Sequence, residues 1–368
     1  MRKIVALAAA ALSILSVTGA QVAGHDSRGA AYTMSNAAAA NEVLVYDRAP
    51  NGELSFSGAV PTGGTGSGSG LGNQGAVTLS DDQRWLFVVN AGSNDVSVFR
   101  VGPSGLRLTD REPSGGVQPV SVTSHERFVY VLNAGVPNSI SGFTLNNRGR
   151  LTPLVGSTRH LSGPATGPAQ VEFSPDGRFL VVTEKGTNII DVFTIGHRGG
   201  PIAHRTFASA GETPFGFAFG RRNQLFISEA FGGAPDASAV SSYQLARDGT
   251  LQVVTASAAT TETAACWVVL TKGGRFAYAT NTGSGSISGY TVGRDGELTL
   301  LDADGVTAAT GPGSDPIDMA LSNNGRFLYV LNSGHHTIGI FNVEADGSLS
   351  PIGNTMVQAA AASGLAAR

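Results

Sequence analysis

The residues best suited to chemistry in this chain are Glu184, Lys185 and Glu229, read together with Gln170, Cys266, Trp267, Asn281, Asp318 and Asn332. A carboxylate can activate water as a general base, and an ammonium can stabilise the oxyanion formed when a carbonyl is attacked. An indole can hold a ring-shaped substrate. Glu184 and Glu229 close the equivalent segments GRFLVVTE and NQLFISE, where four other copies end in Asn90, Asn133, Asn281 and Asn332. Two carboxylates brought together beside an aromatic wall resist double ionisation, which predicts one raised pKa. Such a pair could also hold a ligand's hydroxyls or a divalent cation, although no resident cofactor is required.

Each of these residues also has a structural reading. Asparagine at a strand end commonly supports the following turn through its own side chain. Perturbed carboxylates also arise in purely structural networks. Cys266-Trp267 can be a buried thiol beside a packing aromatic. His335 and His336 point apart on extended chain and have no further His or Cys at ligand spacing, so they read as loop residues. Gly70, Gly72 and Gly75 form a GxGxxG, but a glycine loop precedes it and a strand, 76–79, follows. A dinucleotide site needs the reverse surroundings. No serine lies between glycines two residues before and two after it, so a nucleophile elbow is absent.

The element that must position these residues is the stretch 167–193, GPAQVEFSPDGRFLVVTEKGTNIIDVF. Val171 and Phe173 alternate ahead of the turn Ser174-Pro175-Asp176-Gly177, where proline and glycine preset a tight hairpin. An apolar run, 179–182, follows as a strand buried on both faces. Its copies share one frame at Arg84, Arg127, Arg178, Arg275 and Arg326, with Asn223 marking a degenerate copy in the double gap. A second turn recurs at 50–54, 247–251, 294–298 and 345–349, giving four short strands per unit at a period of roughly 43–52 residues. Strands at 31–34, 43–46 and 54–59 supply three-quarters of a seventh unit, and 364–367 supplies its missing first strand. The expectation is an all-β, seven-bladed β-propeller of four-stranded antiparallel blades. The C-terminal strand closes it by joining the N-terminal blade, in one domain over 30–368 and as a monomer. In such a blade the innermost strand starts on the face where the second strand ends, so the candidate residues should ring the top of the central channel. The glycine-rich segment 63–72 reads as a flexible connection.

Residues 1–20 have a basic start, an apolar run from Ile4 to Val17 and a small-residue end, the pattern of a cleaved signal peptide extending at most to 23. The expected location is secreted or periplasmic, with no later membrane span. A formal net charge of −3 with no basic block argues against nucleic acid as a partner. Cys266 is the single cysteine, so no internal disulfide can form, and packing and ring closure must supply stability.

The repeats, with SPDGRFL, the YVLN strand end and the ADGxL turn, resemble the seven-bladed propeller lactonase family. That family includes propeller-type 6-phosphogluconolactonases and carboxymuconate-cyclising enzymes. The resemblance runs from about Ala30 to the C-terminus and implies the fold together with a lactone-hydrolysing activity. Family members tend to open one blade with Pro-His and another with Pro-Arg-His; this chain has Pro168-Ala169-Gln170 and Ala265-Cys266-Trp267 there. Two function classes follow. One is an exported lactonase-like hydrolase of a small-molecule lactone or sugar-like ligand, with Glu184 or Glu229 activating water. The other is a non-catalytic propeller binding a small ligand or protein partner through its top face.

Overall fold

The computed structural model describes residues 29–368; the segment read as a signal peptide lies outside the described residues. Seven antiparallel sheets form the ring. Blade 1 runs outward from Ser363–Ala367 through Gly29–Met34 and Glu42–Arg48 to Leu54–Pro61. Blades 2 to 7 follow in chain order, their innermost strands being Val77–Leu79, Pro119–His125, Pro168–Phe173, Pro214–Phe219, Ala265–Leu270 and Pro316–Leu321. The degenerate copy is a full four-stranded blade, and the outer strand is split in blades 3 and 6. Closure is as the repeat pattern requires: Ala31 pairs with Ala367, Tyr32 with Ala366 and Met34 with Ser363. The Arg368 amide donates to the Ala30 carbonyl at 2.9 Å.

The two turn motifs of each repeat turn out to be two halves of one joint between blades. In five blades the aromatic that opens the second strand lies over the glycine of the next blade's outer turn. A Cβ at Gly149, Gly199, Gly347 or Gly52 would collide with Trp85, Phe128, Phe276 or Phe327, and at Gly249 it would press on Phe179. Buried tyrosines reinforce three of these joints. Tyr130 donates to the Gly199 carbonyl at 2.6 Å, Tyr278 to Gly347 at 2.8 Å and Tyr329 to Gly52 at 3.0 Å. In the degenerate blade Gln224 takes the aromatic's place, and its amide donates to the Arg294 carbonyl instead. Apolar second strands such as Phe179–Glu184 are buried along their whole length, between one blade and the next.

The glycine-rich segment departs from its reading as a flexible connection. It threads between blades at backbone contact distance: a Cβ on Gly66 would lie 2.1 Å from the Asn36 carbonyl carbon. Gly66 N–H donates to Ala37 O, Gly92 N–H to Thr65 O and Asn36 Nδ2 to Ser67 Oγ. At Gly64 and Gly66 glycine serves close approach. The path carries the following residues, Asn73 and Gln74, inward to the channel.

Candidate functional site

Asn73 and Gln74 stop the top of the channel. Asn73 Nδ2 donates to the carbonyls of Pro168 and Ala169 in blade 4, and its own carbonyl accepts the Trp267 indole N–H at 3.1 Å. Gln74 bonds both backbone groups of Val268 in blade 6, at 2.9 and 3.1 Å. Gly216 completes the fit, because a Cβ there would lie 2.1 Å from Gln74 Oε1. Beneath this plug is a cavity of about 530 Å³, lined by innermost strands and by the turns where they end on the opposite face. It is therefore a cup whose mouth lies at the bottom of the ring. Its size falls within the roughly 300–1,000 Å³ of small-molecule sites.

Four ionisable side chains line the cup: Asp81, His125, Glu172 and Asp318. Burial, with the Asp81 charge adding to it, pushes the Glu172 carboxyl up to about 8. Gln170 orients it, donating from Nε2 to Glu172 Oε2 at 2.9 Å while bonding the Phe217 backbone through both ends of its amide. At the mouth, His125 Nδ1 lies 3.9 Å from Asp81 Oδ2, and the imidazole packs against Phe173. Asp318 is driven well above the ordinary carboxylate range by burial, against the pull of two backbone donors, Met319 and Leu365. The second of these bonds ties blade 7 to the closing strand.

Glu184 and Glu229 do not form the shared pair expected of them. Both are fully buried, and among the described residues they share no hydrogen-bonding partner. Glu184 accepts from the Ser162 amide, Ser162 Oγ and Thr187 Oγ1. Glu229 accepts from Gly211 N, Ser241 Oγ and Ser257 Oγ. Their side chains turn into their own blades because loop hydroxyls and amides, invisible in the strand-end pattern, collect around them. The raised pKa is also misplaced at Glu184. Burial pushes that carboxyl up, but bonds with Asp191, Ser162 and Thr187 together hold it below its ordinary value.

The carboxyl that faces Glu184 is Asp191, in the same blade. Burial pushes Asp191 up to about 7; the Glu184 carboxylate adds to this, and His204, at 2.7 Å, opposes it. Asp191 is ordinarily ionised above about 4 in the unfolded chain, so folding is progressively penalised as pH rises from about 4 to 7. Asp191→Asn keeps the shape and supplies a donor to Glu184, as Asn281 does toward Ser288 in blade 6. The variant should melt roughly 2–6 °C above the parent at pH 8, with a smaller gain at pH 5. A gain of equal size at both pH values in paired thermal melts would show that Asp191 is not the titrating group.

Of the remaining candidates, Lys185, Cys266 and Trp267 do come together at the top. The Lys185 ammonium lies 4.4 Å from the Phe215 ring centroid and donates to the Gly72 carbonyl at 2.7 Å; burial lowers its pKa. Burial pushes the Cys266 thiol up to about 11, and Trp267 stacks at a tilt on Phe215. Trp267 is thus a wall of the plug. Asn281 donates to Ser286 and Ser288, and Asn332 to Thr337, which is strand support. Gln170 and Asp318 reach the axial cup, away from the rim.

Glu172, His125 and Asp81 were missed, and the repeats held a signal for two of them. Counted from the residue that opens the innermost strand, the place of Glu172 is taken elsewhere by Thr123, Ala218, Val269 and Ala320. Blade 4 alone among these has an acid there. His125 stands where Ser80, Ser174 and Ser322 accept the amide of the residue five places on. Blade 3 closes by a hairpin two residues shorter, in which His125 pairs with Phe128. Its side chain is released from turn duty to line the mouth.

The family model described as "Lactonase, 7-bladed beta-propeller" matches residues 22–160, 126–230 and 240–361. A protein of Staphylococcus saprophyticus described as uncharacterised is 26% identical over 150 residues, 38% of this chain and 42% of that one. The match thus spans less than half the length of that relative. Among solved structures, a protein of Bacteroides fragilis provisionally titled a 6-phosphogluconolactonase superposes with TM-score 0.72 at 21% identity, over 93% of this chain and 98% of its own. The periplasmic gluconolactonase of Pseudomonas aeruginosa gives 0.72 at 18%, over 92% and 98%. A Lactobacillus plantarum protein gives 0.74 at 16%, over 93% and 99%. At these identities the likeness speaks for the fold.

Proposed function

Because the chain belongs to the seven-bladed β-propeller lactonase family, we propose that it opens a small lactone or related cyclic ester, and does so in the axial cup. The observation that carries this reading is the half-buried Glu172 carboxyl, held by Gln170 in a cavity of ligand size with its pKa pushed up to about 8. Hydrolysis adds water to the lactone carbonyl and breaks the bond from that carbon to the ring oxygen. His125, backed by Asp81, takes the proton from the attacking water; Glu172 gives its proton to the departing ring oxygen, leaving a hydroxy acid. The caged glutamates and the plugged top support this placement over the rim.

The test is a hydrolysis assay on the protein over a panel of five- and six-membered lactones, with a metal-depleted control. Turnover above the spontaneous rate is expected, unchanged by metal depletion. Failure to accelerate any lactone would leave the second reading, a non-catalytic ligand-binding propeller. That reading is favoured by Gln170 and Cys266-Trp267 standing where family members tend to carry histidine and arginine.

A further inference from the structure

We propose that the axial cup takes an uncharged, polyhydroxylated ring, an unphosphorylated sugar lactone in the hydrolase reading on which this rests, and that it rejects phosphorylated sugars. Among the described residues, the wall contains no lysine or arginine. Of the arginines near its lining turns in sequence, Arg84 pairs with Asp82, Arg127 lies over the Phe128 ring and Arg178 bonds the Arg247 carbonyl over the Phe179 ring, while Arg221 and Arg222, which follow the lining Phe219, are exposed and do not line the cup. The charged side chain at the mouth is a carboxylate, since Asp81 is 80% exposed there. A phosphate dianion entering the cup would pass this charge, lose its water and meet no lysine or arginine. Burying an ion unpaired is among the most costly events in a protein. Phosphate sites answer that cost with arginine, lysine or clustered amides.

The groups that are present suit hydroxyls. Gln74, Thr78, Thr123, Gln170, Glu172 and Asp318 line the cup. A sugar hydroxyl both donates and accepts, so it matches amides, hydroxyls and neutral carboxyls alike. Burial pushes the Glu172 carboxyl up to about 8, so at pH 7 it does not repel a neutral ring, and burial raises Asp318 as well. Val122, Phe219 and Met319 offer apolar surface to the ring's C–H faces.

The test is equilibrium titration at pH 7 with 1,5-anhydro-D-glucitol, a neutral ring that cannot be hydrolysed, and with its 6-phosphate. Hydrolysis of D-glucono-1,5-lactone and its 6-phosphate is followed in parallel. The neutral ring is expected to bind at least about ten-fold tighter than the phosphate. Ser124→Arg, which sets a cation at the mouth, should narrow or reverse that ratio; should this variant not fold, the ratio in the parent protein decides. Equal or tighter binding of the phosphate, or binding of neither ring, overturns the proposal. Preferential turnover of the phosphorylated lactone overturns it while leaving the hydrolase reading intact. Tight binding of the neutral ring without turnover of either lactone does the reverse.

Discussion

Replacing Glu172 by glutamine should lower lactone turnover about 10²-fold or more while shifting the melting temperature by no more than a few degrees. The substitution is nearly isosteric, and the new side-chain carbonyl can still accept the hydrogen bond from Gln170. What disappears is the transferable proton. In the proposed mechanism the acid form is the working one, so activity of the parent should fall as pH rises through about 8. The variant's residual rate should lack that descending limb. A KM-against-kcat comparison separates proton donation from binding, since loss of donation lowers kcat with little change in KM. Unchanged turnover in Glu172→Gln would move the reaction out of the cup and back to the rim around Lys185 and Trp267.

Removing residues 363–368 should cost roughly 3–8 kcal/mol, a large part of a domain's whole stability. The deletion exposes the inner edge of Gly29–Met34 and takes the buried Leu365 and Ala366 from between blades 1, 2 and 7. Burying a leucine contributes about 1.5–3 kcal/mol, and each lost backbone bond leaves a donor or acceptor unsatisfied. Asp318 would also lose the Leu365 amide and keep a buried carboxyl with one donor fewer. Denaturant titration of the truncated protein measures the loss. An unchanged midpoint would mean that blade 1 does not depend on its C-terminal strand.

The ring was legible because most repeats share the same local instructions: an arginine and an aromatic after the first turn, then an apolar second strand. Even the velcro strand could be found, since three strands at one end demanded a fourth. The cup was not legible for a different reason. It exists because Asn73 and Gln74 reach blades remote in sequence, and no periodicity encodes where a glycine-rich segment will thread. Glu184 and Glu229 misled because their position in the repeat was right and their surroundings were unseen. Ser162 and Ser257, which cage them, belong to an inter-blade loop and an outer strand. Glu172 could have been found by applying to the innermost strand the comparison that was applied to the second.

The plug has a mechanical consequence. Seven wedges joined only to their neighbours form a hoop that can be squeezed toward an oval with small changes at every joint, as no member resists along a diameter. Asn73 and Gln74 act as struts at the hub, fastening blade 2 to blades 4 and 6 through rigid backbone amides. With those spans set, the bore of the ring near its top is a fixed dimension, and so is the distance between walls that come from blades on opposite sides. Two side-chain amides thereby hold the gauge of the whole molecule.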